Sequence, residues 1–211
     1  KSGVYCIYVL IMKYIIILFI ALLHLPVSGQ QGDYLERKLQ IERSTRQVYT
    51  VAEFRQVANS LQLTVDEFCD YPVIFPIRKP QRISSEFGMR RHPIYGGQNF
   101  HTGIDFSEVM GTAVYATGNG VVIRKGYDSG YGYFVEIEHA GGFRSFYAHL
   151  IRIWVNVGDL VSITQQIASV GNTGVSTGSH LHYEIRKGKR FLNPIGWCCY
   201  LFEVSKSLLV K

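Results

Sequence analysis

The chain has 211 residues, of which 47% are hydrophobic and 18% are charged, and its formal net charge is +6. Aromatic residues make up 13% of the sequence, so the composition excludes a disordered chain, which would have few aromatic and many charged residues. No Gly-X-Y or heptad repeat is present, which excludes collagen-like and coiled-coil proteins. The length is enough for one hydrophobic core, or for one core and a small appendage.

The positive charge is spread along the chain. Residues 1–29 contain two lysines and no acidic residue, so the remainder has 20 basic and 16 acidic groups, a net charge of +4. A solvated basic surface is one interpretation, and a mild preference for an anionic polymer is the other. No nucleic-acid-binding motif accompanies these charges, and we therefore expect no nucleic-acid partner.

The first 29 residues have the pattern of a secretory signal peptide. Met12 and Lys13 give a short positive start, the apolar run Tyr14–Leu25 follows, and Val27–Gly29 offers small residues for cleavage after Gly29. A membrane anchor is the alternative, but the run is shorter than the roughly 20 residues of a spanning helix. The sequence thus predicts export, with no membrane span in the mature chain.

Three cysteines remain in the predicted mature chain, since Cys6 lies upstream of Met12. An odd number after export indicates one free thiol, or one bridge from Cys69 to the adjacent pair Cys198 and Cys199. No two cysteines have the spacing of a zinc site, and we expect no catalytic cysteine.

Residues 30–70 are predicted to be helical. The segment Thr50–Glu53 has the pattern of a capping box, and Thr64–Glu67 repeats it for a second short helix. After the first box, apolar residues recur at helical spacing: Phe54, Val57, Ala58 and Leu61. A small glycan-binding LysM module is an alternative for this region, although the usual Gly-Asp-Thr start is missing.

From Pro72 onward the pattern changes to an extended linker with prolines at 72, 76 and 80, followed by short strand-like runs. The predicted strands are Ala113–Thr117, Gly120–Lys125, Tyr133–His139, Arg144–His149, Gln166–Val170 and Leu181–Arg186. Because the connections leave no room for crossover helices, the sheet is predicted to be antiparallel. The fold class is therefore mainly β, with a short helical lead-in.

Two groups of residues have the spacing of metal ligands. On a strand, His180 and His182 point to one face. His101 and Asp105 are separated by an even spacing of four, and Gly103 between them permits close backbone approach. A lone His-x-His pair is more often a surface feature, but two histidines and one carboxylate form a catalytic zinc site whose fourth position is left for water. Together the two groups predict a metal site.

These residues lie in a series of motifs between Ile83 and Pro194 that resembles the lysostaphin-type (LytM-like) zinc metallopeptidases, which cut peptide bonds in bacterial peptidoglycan. The motifs match in order and spacing. They are Phe87–Pro93, His101–Asp105, Gly111–Ala116, Phe146–Leu150 and Gly171–Glu184. Ser179 stands where the family often has proline.

The resemblance implies a compact antiparallel β domain with one zinc ion on the floor of a groove. It makes His101, Asp105 and His182 the zinc ligands. It also makes His149 and His180 catalytic histidines that do not bind the metal. One of the two would take a proton from the metal-activated water and later protonate the leaving amine.

The function implied is that of a secreted zinc-dependent endopeptidase acting on the peptide stems or cross-links of peptidoglycan. Such an enzyme is expected to act as a monomer in the periplasm or cell envelope of a bacterium. A non-catalytic binding or activator module of the cell envelope is the alternative, and a purely structural β domain is a third possibility. The bond expected is the D-alanyl–diaminopimelate cross-link, with a glycine bridge as the alternative.

Together, the residue patterns and the resemblance divide the chain into an upstream extension and signal peptide (1–29), a helical lead-in and linker (30–79), a zinc peptidase domain (80–197) and an unassigned tail (198–211). Two further residues have open roles. Glu184 could orient a ligand imidazole or be a plain structural glutamate. Arg90 could bind a substrate carboxylate or support its own loop.

Overall fold

The computed structural model describes residues 30–78, 80, 82–91 and 96–200. The predicted signal peptide and most of the unassigned tail therefore lie outside the described residues. The chain divides into two compact units, with the boundary between Arg43 and Ser44. The larger unit contains the whole β domain.

The first three described helices confirm the predicted helical lead-in, and a fourth lies near the end of the described residues. They are α1 (Gln30–Thr45), α2 (Val51–Leu61), α3 (Val65–Phe68) and α4 (Pro194–Cys198). Both predicted capping boxes are formed, since the Thr50 and Thr64 hydroxyls accept from the backbone N–H three residues on, and the carboxylates of Glu53 and Glu67 accept in return. Within the described residues, no helix combines the length and apolar character that crossing a membrane requires.

In the part of the chain that the structure describes, twelve strands follow the lead-in, and they confirm the mainly β fold class. They are β1 (Arg82–Ser85), β2 (Gly88–Arg91), β3 (Gln98–His101), β4 (Ile104–Ser107), β5 (Ala113–Tyr115), β6 (Gly120–Asp128), β7 (Gly132–Glu138), β8 (Phe143–Ile153), β9 (Leu160–Val161), β10 (Gln166–Val170), β11 (His180–Lys187) and β12 (Arg190–Leu192). All six predicted strands are present. Strands β6, β8 and β11 are longer than predicted, by three, five and two residues, and β10 has the predicted bounds. Strand β7 begins and ends one residue earlier than predicted, and β5 ends two residues earlier, at Tyr115.

Ten of the strands form one sheet, in which every recorded pairing is antiparallel. The main order is β1-β4-β11-β8-β7-β6-β9; β12 also pairs with β11, and β10 pairs with β5 and β8. Strands β2 and β3 form a separate hairpin. The central position of β11, between β4 and β8, places its histidines in the middle of the sheet surface.

One face of the sheet is apolar and packs into the core. Alternate residues of each strand point to this face. On β11 they are Leu181, Tyr183 and Ile185, and all three are buried. The lead-in adds an aromatic layer around the buried Phe54, whose ring lies 4.8 Å from Tyr71 and 5.3 Å from Trp197 between ring centroids. Helices α2 and α4 are thereby held against the sheet domain by aromatic packing.

A buried polar chain crosses the same core. His139 donates from Nδ1 to the Asn119 carbonyl at 2.8 Å, and its Nε2 lies 2.7 Å from Ser145 Oγ. Ser145 Oγ also lies 3.0 Å from the Tyr147 hydroxyl, within hydrogen-bond distance. Burial lowers the pKa of His139 to about 4, so this imidazole is neutral in the folded protein at pH 7.

The three cysteines of the described region are free thiols: Cys69, Cys198 and Cys199. The bridge that we considered between Cys69 and the adjacent pair is therefore not formed. Burial raises the pKa of the Cys198 thiol well above its usual range, which makes this sulfur a poor nucleophile.

Candidate metal centre

The register between β4 and β11 puts an acidic residue opposite a histidine. Asp105 pairs directly with His182, and Ser107 pairs with His180. Residues that face each other in an antiparallel pair project to the same side, so Asp105 joins both histidines on the face of the sheet opposite to the core. The predicted shared face of His180 and His182 is confirmed.

A close backbone crossing brings His101 to the same place. His101 ends β3, and the chain reaches β4 through Thr102 and Gly103. A Cβ atom on Gly103 would lie 2.3 Å from the Tyr183 carbonyl oxygen and 2.8 Å from Glu184 Cγ. No side chain fits there, so the predicted need for glycine at 103 is confirmed.

Three donor atoms converge at this point. Asp105 Oδ1 lies 2.8 Å from His182 Nδ1 and 3.2 Å from His101 Nε2, and the two ring nitrogens are 3.1 Å apart. Four ligands at zinc–nitrogen distances in a tetrahedron would be separated by about 3.3 Å. All three residues are buried. Two imidazole nitrogens and one carboxylate oxygen at this spacing fit a zinc-like ion with an open position.

The remaining ring nitrogens of both histidines are held by acceptors. His101 Nδ1 donates to the Glu86 carbonyl at 2.8 Å, and His182 Nε2 donates to Glu184 Oε1 at 2.9 Å. Because each of these nitrogens carries the ring proton, the nitrogens that face Asp105 present lone pairs in the neutral rings. Two facing lone pairs repel unless a cation or a proton lies between them.

The pKa values at the centre show the same preference for positive charge. Burial alone would lower the pKa of His182, but hydrogen bonds to Asp105 and Glu184 raise it to about 9. Burial would raise the pKa of Asp105, but hydrogen bonds from His101 and His182 hold it well below its usual range. The carboxylates therefore stay ionised and stabilise a cation at the donor atoms.

Two further imidazoles lie beside the three donors. The rings of His149 and His180 are 4.5 Å apart between centroids, and His180 Nε2 lies 3.9 Å from Asp105 Oδ1. Each donates from Nδ1 to a backbone carbonyl, His149 to Thr173 at 2.7 Å and His180 to Gly178 at 2.8 Å. Their Nε2 atoms are therefore unprotonated in the neutral rings and available to a substrate or a water.

A β-bulge turns His149 toward this group. Tyr133 pairs with Leu150, and Val135 pairs with Tyr147. Between these two pairs β8 has two residues, Ala148 and His149, where β7 has only Phe134. Ala148 packs with Phe146 on the site face, so regular alternation would send His149 into the core. Instead His149 has a left-handed backbone with φ 57°, and its ring lies 6.0 Å from that of His182 between centroids.

Other side chains reach the centre, and the sequence singled out only some of them. The Arg90 guanidinium lies 3.5 Å from Asp105 Oδ2, an ion pair that neither of its two predicted roles included. Glu184 is fully buried and contacts His182, as considered from its strand position. Thr102 and Tyr131 also donate to Glu184. Thr102 follows His101 directly, but no sequence pattern distinguishes Tyr131 from the other tyrosines.

The chain is similar to known peptidases. Residues 99–194 match Peptidase family M23. The structure superposes on the catalytic domain of a variant of the prophage-encoded M23 protein EnpA from Enterococcus faecalis, with a TM-score of 0.51 and 35% identity over 59% of this chain and 96% of that one. The chain belongs to peptidase family M23. Its membership confirms the resemblance to lysostaphin-type peptidases drawn from the motifs.

Two other proteins similar to this M23 chain are a zinc-containing peptidase and a peptidoglycan endopeptidase, both from Vibrio cholerae. A zinc-containing peptidase from Vibrio cholerae superposes with a TM-score of 0.53 and 38% identity, over 56% of this chain and 37% of that one. Peptidoglycan DD-endopeptidase ShyA from the same species is 42% identical over 112 residues, which is 53% of this chain and 26% of that protein. The chain thus spans about a quarter of the length of the curated relatives it matches.

Proposed function

We propose that this M23 chain is a zinc-dependent endopeptidase that hydrolyses the peptide cross-links of bacterial peptidoglycan. The observation that carries the proposal is the convergence of His101 Nε2, Asp105 Oδ1 and His182 Nδ1 within 3.2 Å of one another. Two further imidazoles with free Nε2 atoms lie alongside. A plain structural β domain has no use for such a buried group of ionisable side chains, since burial of unpaired charge is costly.

In this proposal His101, Asp105 and His182 hold one zinc ion. When bound, such an ion acts as a Lewis acid on the scissile carbonyl and lowers the pKa of a water molecule to about 7. The identity of the ion is supported by the donor set and by the zinc-containing peptidase among the structural relatives. The buried carboxylate of Asp105 contributes the negative charge that balances the cation.

His149 and His180 handle the protons. Burial, together with the neighbouring His180, lowers the pKa of His149 to about 4, so its ring is neutral at pH 7 and can accept a proton at Nε2. The hydrogen bonds of Nδ1 to Thr173 and Gly178 keep both Nε2 atoms directed away from the backbone. One imidazole removes the proton of the attacking water and delivers it to the leaving amine. The other, when its Nε2 carries a proton, donates a hydrogen bond to the developing oxyanion.

The proposed substrate is the D-alanyl–diaminopimelate cross-link. Support comes from a relative that is named a peptidoglycan DD-endopeptidase. Peptidoglycan lies outside the cytoplasm, so the proposal includes export by the predicted signal peptide at residues 12–29. The mature enzyme would then begin near Gln30 and act in the periplasm or cell envelope.

Digestion of purified peptidoglycan tests the function. The zinc-loaded protein is incubated with diaminopimelate-type and with glycine-bridged peptidoglycan, and the released muropeptides are identified by mass spectrometry. We expect loss of D-alanyl–diaminopimelate cross-linked dimers, and no loss after chelation. Binding without release of fragments would support the non-catalytic alternative, and hydrolysis that survives complete chelation would refute the zinc mechanism.

A further inference from the structure

Glu184 is a fully buried carboxylate with four donors around it. Its Oε1 accepts from His182 Nε2 at 2.9 Å, from the Tyr131 hydroxyl at 3.2 Å and from the Thr102 hydroxyl. Its Oε2 accepts from Arg186 Nε. Both oxygens are thereby fixed, so the carboxylate cannot rotate without breaking several hydrogen bonds.

The donors come from segments that also carry the other histidines. Thr102 directly follows His101 on the crossing to β4. Tyr131 belongs to the tight β6–β7 turn, and its carbonyl accepts from the backbone N–H of His149 at 2.8 Å. The Tyr131 ring also lies 5.6 Å from that of His182 between centroids. Glu184 therefore joins the chain segments that position His101, His149 and His182.

We propose that Glu184 is a positioning residue of the metal centre, and that Thr102, Tyr131 and Arg186 hold it for that purpose. Because it accepts a hydrogen bond from His182 Nε2–H, the carboxylate keeps the ring proton on Nε2, leaves the lone pair on Nδ1 and fixes the plane of the ring toward Asp105. Loss of such an acceptor typically lowers metal affinity 10- to 100-fold. The proposal rests on the proposed function, because it requires that His182 binds a metal.

Glu136 on β7 is a matched control for a merely structural role. It is also fully buried, and it is separated from Glu184 only by Phe146, with which both residues pair across β8. Its contacts in the described structure are with arginines: Arg124 at 3.0 Å, and Arg144 and Arg186 at 3.4 Å. Removing the charge of Glu136 thus disturbs the same ion-pair network without touching His182.

Zinc affinity tests the proposal without relying on activity. Dissociation constants are measured by competition with a chromophoric chelator for the wild-type chain, Glu184→Gln and Glu136→Gln, and thermal unfolding of each chelated protein is recorded. We expect Glu184→Gln to weaken zinc binding 10- to 100-fold. We expect Glu136→Gln to change the zinc affinity less than threefold. Its unfolding temperature should nevertheless fall about as much as that of Glu184→Gln. Equal zinc affinities in the two variants would overturn the proposal.

Two milder substitutions keep the test decisive if Glu184→Gln does not fold. Tyr131→Phe and Thr102→Val each remove one hydroxyl donor to Glu184 Oε1 without removing a charge. Each is expected to weaken zinc binding severalfold, and wild-type affinity in both would also overturn the proposal. If the wild-type chain itself binds no zinc, the proposed function fails first, and that result differs from one in which wild type and Glu184→Gln bind equally.

Discussion

Asp105 and His182 are directly opposed across strands β4 and β11, and the two side chains meet at 2.8 Å between Oδ1 and Nδ1. Their distance is thus set by strand register. Because side chains alternate along a strand, a slip of one residue would turn His182 into the core and bring Leu181 to the site face. The core residues that flank them, Phe106 and Tyr183, are fully buried and oppose such a slip.

Zinc should stabilise the folded chain. The three donor atoms approach one another within 3.2 Å, which is favourable only with a cation or a proton among them. At a free zinc concentration 100 times the dissociation constant, binding adds about 2.7 kcal/mol to the free energy of unfolding. Thermal unfolding with increasing zinc measures this gain. His101→Ala should show little or none of the gain, and an equal gain in that variant would place the ion elsewhere.

Substitution should separate metal binding from proton transfer. His182→Ala removes a donor atom and should lose zinc together with activity. His180→Ala and His149→Ala keep all three donors, so they should retain near-stoichiometric zinc while the rate falls roughly 10²- to 10⁴-fold. Zinc content and initial rate are measured on the same preparations. If His180→Ala loses its zinc while His182→Ala keeps it, the roles within this pair are reversed.

The sequence predicted the long strands and the shared face of His180 and His182, because alternation over five or more residues is a strong signal. It also predicted the short β5, although with two residues too many. It did not predict β1–β4, β9 or β12. Each has at most four residues, too few to show a period, and they are held by pairing with neighbouring strands. Such strands form because they pair with distant segments of the chain, and their own few residues do not predict that pairing.

Residue spacing and motif resemblance predicted most of the site. The parts that depend on an irregular backbone, a β-bulge and a tight turn, were less predictable. The bulge that redirects His149 has no sequence signature, and only the resemblance pointed to this residue. Tyr131 likewise reaches Glu184 across a turn whose conformation is fixed by Asp128, whose Oδ1 accepts from the N–H groups of Gly130 and Tyr131. Long-range contacts of this kind follow from the assembled sheet.

Gly103→Ala should disrupt both the fold and the metal centre. The added Cβ would lie 2.3 Å from the Tyr183 carbonyl oxygen, so β4 must move away from β11 and take Asp105 with it. Overpacking of this kind costs about 1–3 kcal/mol, measured by urea denaturation, and zinc affinity should fall in parallel. Gly126→Ala is the control, because its Cβ would meet only the Phe134 ring at 3.6 Å. Equal losses in the two variants would contradict the close-approach argument.

Acid should destabilise the fold through His139, away from the metal centre. Burial lowers the pKa of this residue to about 4, whereas in the unfolded chain it is about 6.5. Between these values the unfolded state binds more protons, so the stabilising contribution is fully present above pH 6.5 and is lost as the pH falls toward 4. Between pH 7 and pH 5 the expected loss is about 2 kcal/mol from this residue alone.

The measurement compares wild type with His139→Gln, both chelated so that zinc release does not add to the pH dependence. The variant should be less stable at pH 7, since the hydrogen bonds to Asn119 and Ser145 are altered. Its free energy of unfolding should nevertheless fall about 2 kcal/mol less than that of wild type on going to pH 5. Other titrating groups are common to both proteins and cancel in the difference. Parallel pH profiles would show that His139 does not carry this acid sensitivity.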